Sequence, residues 1–165
     1  MTAVREDTDT RATFSHSALF YRGRAEFLAA TVPFVREGLA QGEPVAVILP
    51  APNLEALTAA LGADAERVRL VDMAEAGRNP GRIIPLVLRS FADSHPRPVR
   101  VVGEPVFSGR TEDEYPACVQ HEALVNASFE DRPAALLCPY DTGRLAPSVL
   151  ADAEARGIQE DPAQR

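Results

Sequence analysis

The stretch VRVVGEPVF, from Val99 to Phe107, is the key to the fold. It reads as an apolar strand that ends in a glycine, Gly103, followed by a carboxylate, Glu104. Ligands of open α/β sheets bind beyond the carboxyl ends of the strands. Glu104 is therefore predicted to face a crevice at the edge of a sheet rather than a core. We expect this stretch to be an inner strand of that sheet.

Other apolar runs predict the strands that accompany this one. Val45–Leu49 is apolar throughout, which is typical of a strand covered on both faces of a parallel sheet. Segments with helical periodicity separate the runs. This alternation predicts an α/β fold with a mostly parallel five-stranded sheet and helices on both faces. The remaining strands are predicted over residues 16–21, 67–71 and 134–138.

The predicted helices carry two prolines and one capping residue that affect where they begin. Pro33 lies inside the first helical stripe, so a kink or a late start is expected there, and Pro85 raises the same choice. Asn53 is predicted to be the N-cap of the second helix. The helices are predicted over residues 24–40, 54–61, 80–91, 113–129 and 145–155.

The composition is that of one globular domain without a nucleic-acid or membrane partner. A chain of 165 residues can bury one sizeable core, and its net charge of −7 disfavours nonspecific binding to nucleic acid or anionic lipid. The N-terminal segment is unlike a signal peptide, and no apolar run is long enough to span a bilayer. We expect a cytoplasmic domain over residues 14–156, a disordered arm over 1–13 and a disordered tail or linker over 157–165.

Sequence motifs of nucleotide hydrolysis and of metal binding are absent. The chain contains no GxxxxGK[ST], no GxGxxG after a strand, no GxSxG and no lysine. Cys118 and Cys138 are far apart and are predicted to be free buried thiols. The sequence therefore predicts no catalytic residue, no cofactor and no metal site.

Polar residues follow the predicted strands at one end. Because the carboxyl ends of parallel strands meet at the same edge of a sheet, these residues are expected to share one crevice. The alternative is that they are polar only because strand ends and loops are polar in general. The strand-end residues are Tyr21, Arg22, Asn53, Asp72, Glu104, Tyr140 and Asp141.

A second feature is a carboxylate on an apolar helix face. Glu122 lies in the helical row of Cys118, Val125 and Phe129, and Asn126 follows one turn later. Burying a carboxylate is costly unless it is paired or hydrogen-bonded. Glu122 either contacts a backbone donor, an arginine or a ligand, or it lies at the edge of the stripe and reaches water.

Two histidines lie near these candidates. His121 is next to Glu122 and is interpreted as a surface residue rather than a base. His16 precedes the first strand and is either a cap or a site residue. The sequence does not separate these two roles.

Five short motifs, in this order, resemble the MEDS domain, the methanogen/methylotroph, DcmR-type sensory domain, over residues 14–156. The resemblance implies a fold similar to the RecA/KaiC-like ATPases without a working phosphate loop, and it puts Glu104 near the position of the Walker B acid. It also implies a domain that senses small molecules such as hydrocarbon derivatives, or relays a signal, often ahead of a kinase-like ATPase of the anti-sigma-factor type. The motifs are HSALFY at 16–21, GE at 42–43, GE at 103–104, EALVN at 122–126 and CPYD at 138–141.

Together these observations predict a non-catalytic cytoplasmic sensory domain that binds a small molecule or a signalling partner at the carboxyl edge of the sheet. Two alternatives stay open: a degenerate RecA-like nucleotide-binding enzyme with Glu104 as general base, and a pure protein-interaction module that docks to a sigma-factor regulator. The chain is either a stand-alone protein or a piece of a longer one. The candidate ligand-binding residues are His16, Tyr21, Arg22, Glu104, Glu122, Asn126, Tyr140 and Asp141.

Overall fold

A parallel sheet runs through the centre of the computed structural model, which describes residues 14–155 and 159–160. Every pair among the described strands is parallel, and the strand order is β3-β2-β4-β5-β1-β6. The strands are β1 (Ser15–Tyr21), β2 (Val45–Leu49), β3 (Val68–Asp72), β4 (Val99–Gly103), β5 (Ala134–Asp141) and β6 (Gln159–Glu160).

Helical segments connect the successive strands. None of the helices in the described ranges has the length and apolar character that a membrane span requires. The α-helices are α1 (Gly23–Ala40), α2 (Ala51–Leu61), α3 (Met73–Ala76), α4 (Ser90–Asp93), α5 (Tyr115–Ser128) and α6 (Pro147–Ala155). Short 3₁₀ turns span Gly62–Arg67 and Pro80–Arg82, and a π-helical segment spans Ile83–Arg89.

Both faces of the sheet are covered, as β2 shows. Alternate side chains of a strand point to opposite faces. Val45, Val47 and Leu49 pack in an apolar cluster with residues of α1 and α2. Ala46 and Ile48 pack in a second cluster with residues of the π-helical segment, α4 and α5. The expected α/β fold, with a parallel sheet between two helical layers, is confirmed.

All five predicted strands are present, and the structure contains one further strand, β6, that the sequence did not predict. β6 pairs with β1 at the edge of the sheet, inside the segment that the sequence predicts to be a disordered tail. Residues 1–13, 156–158 and 161–165 lie outside the described residues, so the predicted arm and domain boundaries stay predictions.

The two interior prolines are accommodated differently. α1 runs from Gly23 to Ala40 through Pro33 without a late start. Around Pro85 the chain adopts a wider π-helical turn. Proline cannot donate a backbone hydrogen bond and clashes with the preceding helical turn, so a local widening relieves the misfit.

Arg100 is a charged side chain inside a central strand, with 7% of its surface exposed. Its Nε donates to Glu43 Oε2 at 2.7 Å, and its Nη1 donates to Glu37 Oε2 at 2.8 Å and to the Phe34 carbonyl at 3.1 Å. The guanidinium also lies over the Phe34 ring, 4.8 Å from the centroid. A desolvated charge is tolerated only with such partners, so Arg100 joins β4 to the end of α1.

Replacing Arg100 should therefore lower stability. We expect Arg100→Ala to reduce the free energy of unfolding by about 3 kcal/mol, because it leaves Glu43 without its cation and removes the packing of the arginine stem. Urea unfolding measures the change. Arg69→Ala, at an exposed position of β3, is the matched control and should stay within about 0.5 kcal/mol of wild type. Equal losses in both variants would contradict a special role of Arg100.

Candidate functional site

A cavity of about 330 Å³, which we call the edge crevice, opens where the carboxyl ends of β1, β4 and β5 meet the start of α2. Its position agrees with the general location of ligand sites in open α/β sheets. Polar and charged side chains from four stretches of the chain converge on it. Among the lining residues are Tyr21, Arg24, Asn53, Glu104, Asp141 and Arg144.

Glu104 is held at the edge crevice by two side-chain donors. Tyr21 Oη donates to Glu104 Oε1 at 3.0 Å, and Asn53 Nδ2 donates to Glu104 Oε2 at 2.8 Å. Asn53 Nδ2 is also 2.9 Å from Tyr21 Oη, so the three groups form a closed network. The Glu104 backbone N–H donates to the Ile48 carbonyl at 3.0 Å, which extends the β2–β4 ladder one residue past the strand. This bond fixes the backbone from which the carboxyl projects.

Asn53 reaches Glu104 because α2 begins earlier than the sequence predicts. The helix starts at Ala51, after Pro50, so Asn53 lies in its first turn and is not its N-cap. Pro52 suits this turn, because the first N–H groups of a helix have no partner within the helix. The N-cap prediction is therefore wrong, and the Asn53 amide is directed to the site instead.

Burial raises the pKa values of the Glu104 carboxyl and the Tyr21 hydroxyl in this network. Glu104 is 2% exposed, and burial raises its pKa to about 7, while the hydrogen bonds from Asn53 and Tyr21 oppose the shift and the charge of Asp141 adds to it. The pKa of Tyr21 is raised by burial and by the neighbouring Glu104. The Glu104 carboxyl therefore exchanges a proton near neutral pH.

The structure brings together only part of the predicted strand-end set. Tyr21, Asn53, Glu104 and Asp141 line the edge crevice. Arg24 and Arg144 also line it and were missed, because nothing distinguishes them in the sequence from other exposed arginines.

Three predicted residues lie elsewhere. Arg22 is exposed, and its backbone N–H donates to Glu26 Oε2 at 2.7 Å. Asp72 caps α3 by accepting from the Ala74 N–H at 2.8 Å. Tyr140 stacks on Phe20 with ring centroids 5.5 Å apart, in an apolar cluster with residues of α5 and α6. The expectation that all strand-end residues share one crevice is corrected accordingly.

A second polar cluster lies on the face of the sheet that α5 covers, whereas Tyr21 points to the face that α1 and α2 cover. His16 Nδ1 donates to Asn126 Oδ1 at 3.0 Å, and His16 Nε2 is 3.1 Å from Cys138 Sγ. Glu122 Oε2 lies 3.6 Å from His16 Nε2. His16, Glu122 and Cys138 each offer one ligand atom, all within 4.8 Å of one another, so this group can hold a metal ion. We call it the buried triad.

The sequence could not indicate this cluster by spacing. Its members come from β1, α5 and β5, and the nearest two are 16 positions apart, between Glu122 and Cys138. Of the two alternatives for Glu122, the buried one holds, since only 1% of its surface is exposed. Cys118 and Cys138 are free buried thiols, as predicted.

His121 is buried, which contradicts its interpretation as a surface residue. It is 4% exposed, with Nε2 3.9 Å from Glu122 Oε1. The physical reason is that α5 is covered over a wide arc: Val125 packs in one apolar cluster and Cys118 in another. Burial lowers the pKa of His121 to about 4, and burial also lowers the pKa of His16.

The raised pKa of Glu104 predicts a pH-dependent stability. The folded chain binds this proton more tightly than the unfolded chain, so its stabilisation is present at low pH and is lost as the pH rises towards 7. From pH 5 to pH 8, wild type should lose about 2–3 kcal/mol more than Glu104→Gln. Urea unfolding at several pH values measures this difference.

An exposed glutamate supplies the control for that experiment. Glu55→Gln removes a carboxyl on the solvent side of α2, outside the hydrogen-bond network, and should keep the wild-type dependence. If the free energy of unfolding of wild type and of Glu104→Gln depends on pH in the same way, the pKa of Glu104 is not raised by folding.

Comparison of the chain with known proteins gives one match, to a family model. The model of the family MEDS: MEthanogen/methylotroph, DcmR Sensory domain matches residues 15–155. None of the curated proteins and none of the solved structures compared with the chain matches it. The matched range contains both the edge crevice and the buried triad. Because it also covers most of the chain, the chain belongs to the MEDS family of sensory domains.

Proposed function

We propose that this chain is a sensory domain that binds a small molecule in the edge crevice and acts by recognition rather than by catalysis. The observation that carries the proposal is the buried Glu104 carboxyl, held by Tyr21 and Asn53 at an open cavity. Membership in a sensory family supports the same role. A buried carboxyl kept at a solvent-accessible edge is typical of a binding site.

The lining of the edge crevice favours a particular class of ligand. A carboxylate has about four acceptor positions, so Glu104 can accept a further hydrogen bond beside those from Tyr21 and Asn53. Pro52 and Phe107 add apolar surface to the same cavity. A volume of about 330 Å³ suits a small ligand. We infer a small hydrocarbon derivative that carries an amine or a hydroxyl group.

One observation favours a second candidate, the degenerate nucleotide-hydrolysing enzyme. A carboxyl with a pKa of about 7 is suited to act as a general base. Against this, the chain has no lysine and no glycine-rich phosphate loop to hold a triphosphate. Recognition is therefore the stronger proposal.

Thermal unfolding in the presence of small amines and alcohols tests the proposal. A ligand at 100 times its Kd should stabilise wild type by about 2.7 kcal/mol. Glu104→Ala and Asn53→Ala should abolish this effect, since both remove groups that face the ligand. Asp72→Ala, which removes only the cap of α3, should respond as wild type does.

Other outcomes would select another function. Stabilisation that survives in Glu104→Ala would move the ligand away from the edge crevice. Turnover of ATP or GTP that disappears in Glu104→Gln would establish the enzyme. If no compound stabilises the chain while Glu104→Ala weakens binding to a partner protein, such as an anti-sigma regulator, the chain is a docking module.

A further inference from the structure

The two distances from His16 Nε2 within the buried triad are close to those of a tetrahedral metal site. In such sites a zinc ion lies about 2.0–2.1 Å from nitrogen and about 2.3 Å from sulfur, which puts neighbouring ligand atoms roughly 3.4–3.6 Å apart. The distances from His16 Nε2 are 3.6 Å to Glu122 Oε2 and 3.1 Å to Cys138 Sγ. To accept the ion, the sulfur has to move outward from Nε2 by about half an ångström. The three ligand atoms all lie within 4.8 Å of one another, so the carboxylate and the thiol also lie within reach of one ion.

The His16 ring is already oriented for metal binding. Its Nδ1–H donates to Asn126 Oδ1, so the lone pair of Nε2 faces Cys138 and Glu122. Metal-binding histidines ordinarily have such a second hydrogen bond, which selects the tautomer and fixes the ring. Asn126 itself is exposed, so this second hydrogen bond links the buried ring to the protein surface.

A small cavity lies beside Cys138, one member of the buried triad. Its volume is about 10 Å³, and its lining includes Cys138, His121, Met73 and Val125. This is room for about one water molecule. Three protein ligands leave one position of a tetrahedral zinc ion to a ligand from outside the protein.

We propose that His16, Glu122 and Cys138 bind a divalent transition-metal ion of the zinc class, with the fourth position left to a ligand from outside the protein. On binding, the S–H···N hydrogen bond between Cys138 and His16 breaks, and the thiol proton leaves to solvent. A thiolate and a carboxylate then balance the charge of the ion, so a neutral assembly occupies the core. This site is separate from the edge crevice and lies on the opposite face of the sheet.

Titration of the chelator-treated full chain with Co²⁺ tests the site. We expect a near-ultraviolet thiolate-to-metal charge-transfer band and intense tetrahedral visible bands, saturating at one ion per chain. Cys138→Ala should lose the charge-transfer band. Cys118→Ala is the matched control, since this buried thiol donates to the Pro105 carbonyl and lies outside the triad, and it should keep the band.

Two further measurements do not depend on the cysteine variants. Zn²⁺ at 100 times its Kd should raise the Tm of wild type by roughly 5–10 °C. Asn126→Ala should weaken Co²⁺ binding by about 10–100-fold while leaving the ligands in place. The proposal is overturned if folded wild type shows no charge-transfer band, if Cys118→Ala loses the band, or if Zn²⁺ stabilises Cys138→Ala as much as wild type.

Discussion

The backbone ladder through β2, β4 and β5 is the constraint on which the rest of the structure depends. These strands are buried on both faces, so their N–H and C=O groups have no access to water and must pair with one another. The ladder continues past the end of β4, where the Glu104 N–H donates to Ile48. The site carboxyl is therefore placed by the central ladder of the sheet.

Successive side chains of a strand point to opposite faces of the sheet, and this alternation divides the polar residues of β1 between two sites. His16 and Tyr21 both belong to β1, but they are an odd number of positions apart and so face opposite sides of the sheet. Tyr21 thus joins Glu104 and Asn53, whereas His16 joins Cys138 and Glu122. One short strand therefore supplies a side chain to both the edge crevice and the buried triad.

Several features of the fold and site could be predicted because they depend on local pattern. The continuous apolar run at Val45–Leu49 and the acid after Gly103 indicated a covered parallel strand and an edge position for Glu104. Other features could not. α2 begins three residues earlier than predicted. Asn53 therefore lies inside the helix and donates to Glu104 instead of capping the helix. The burial of His121 depended on two layers closing around α5, which no single helix pattern reveals.

The sequence by itself determined the succession of five strands along the chain, the parallel α/β class and the absence of a lysine-bearing phosphate loop, because these follow from residue types and periodicity along the chain. Only the tertiary structure decided which polar residues meet. Contacts among residues 16, 122 and 138, or among 21, 53 and 104, require strand order and register, and these are set by long-range pairing and by the packing of helices on each face.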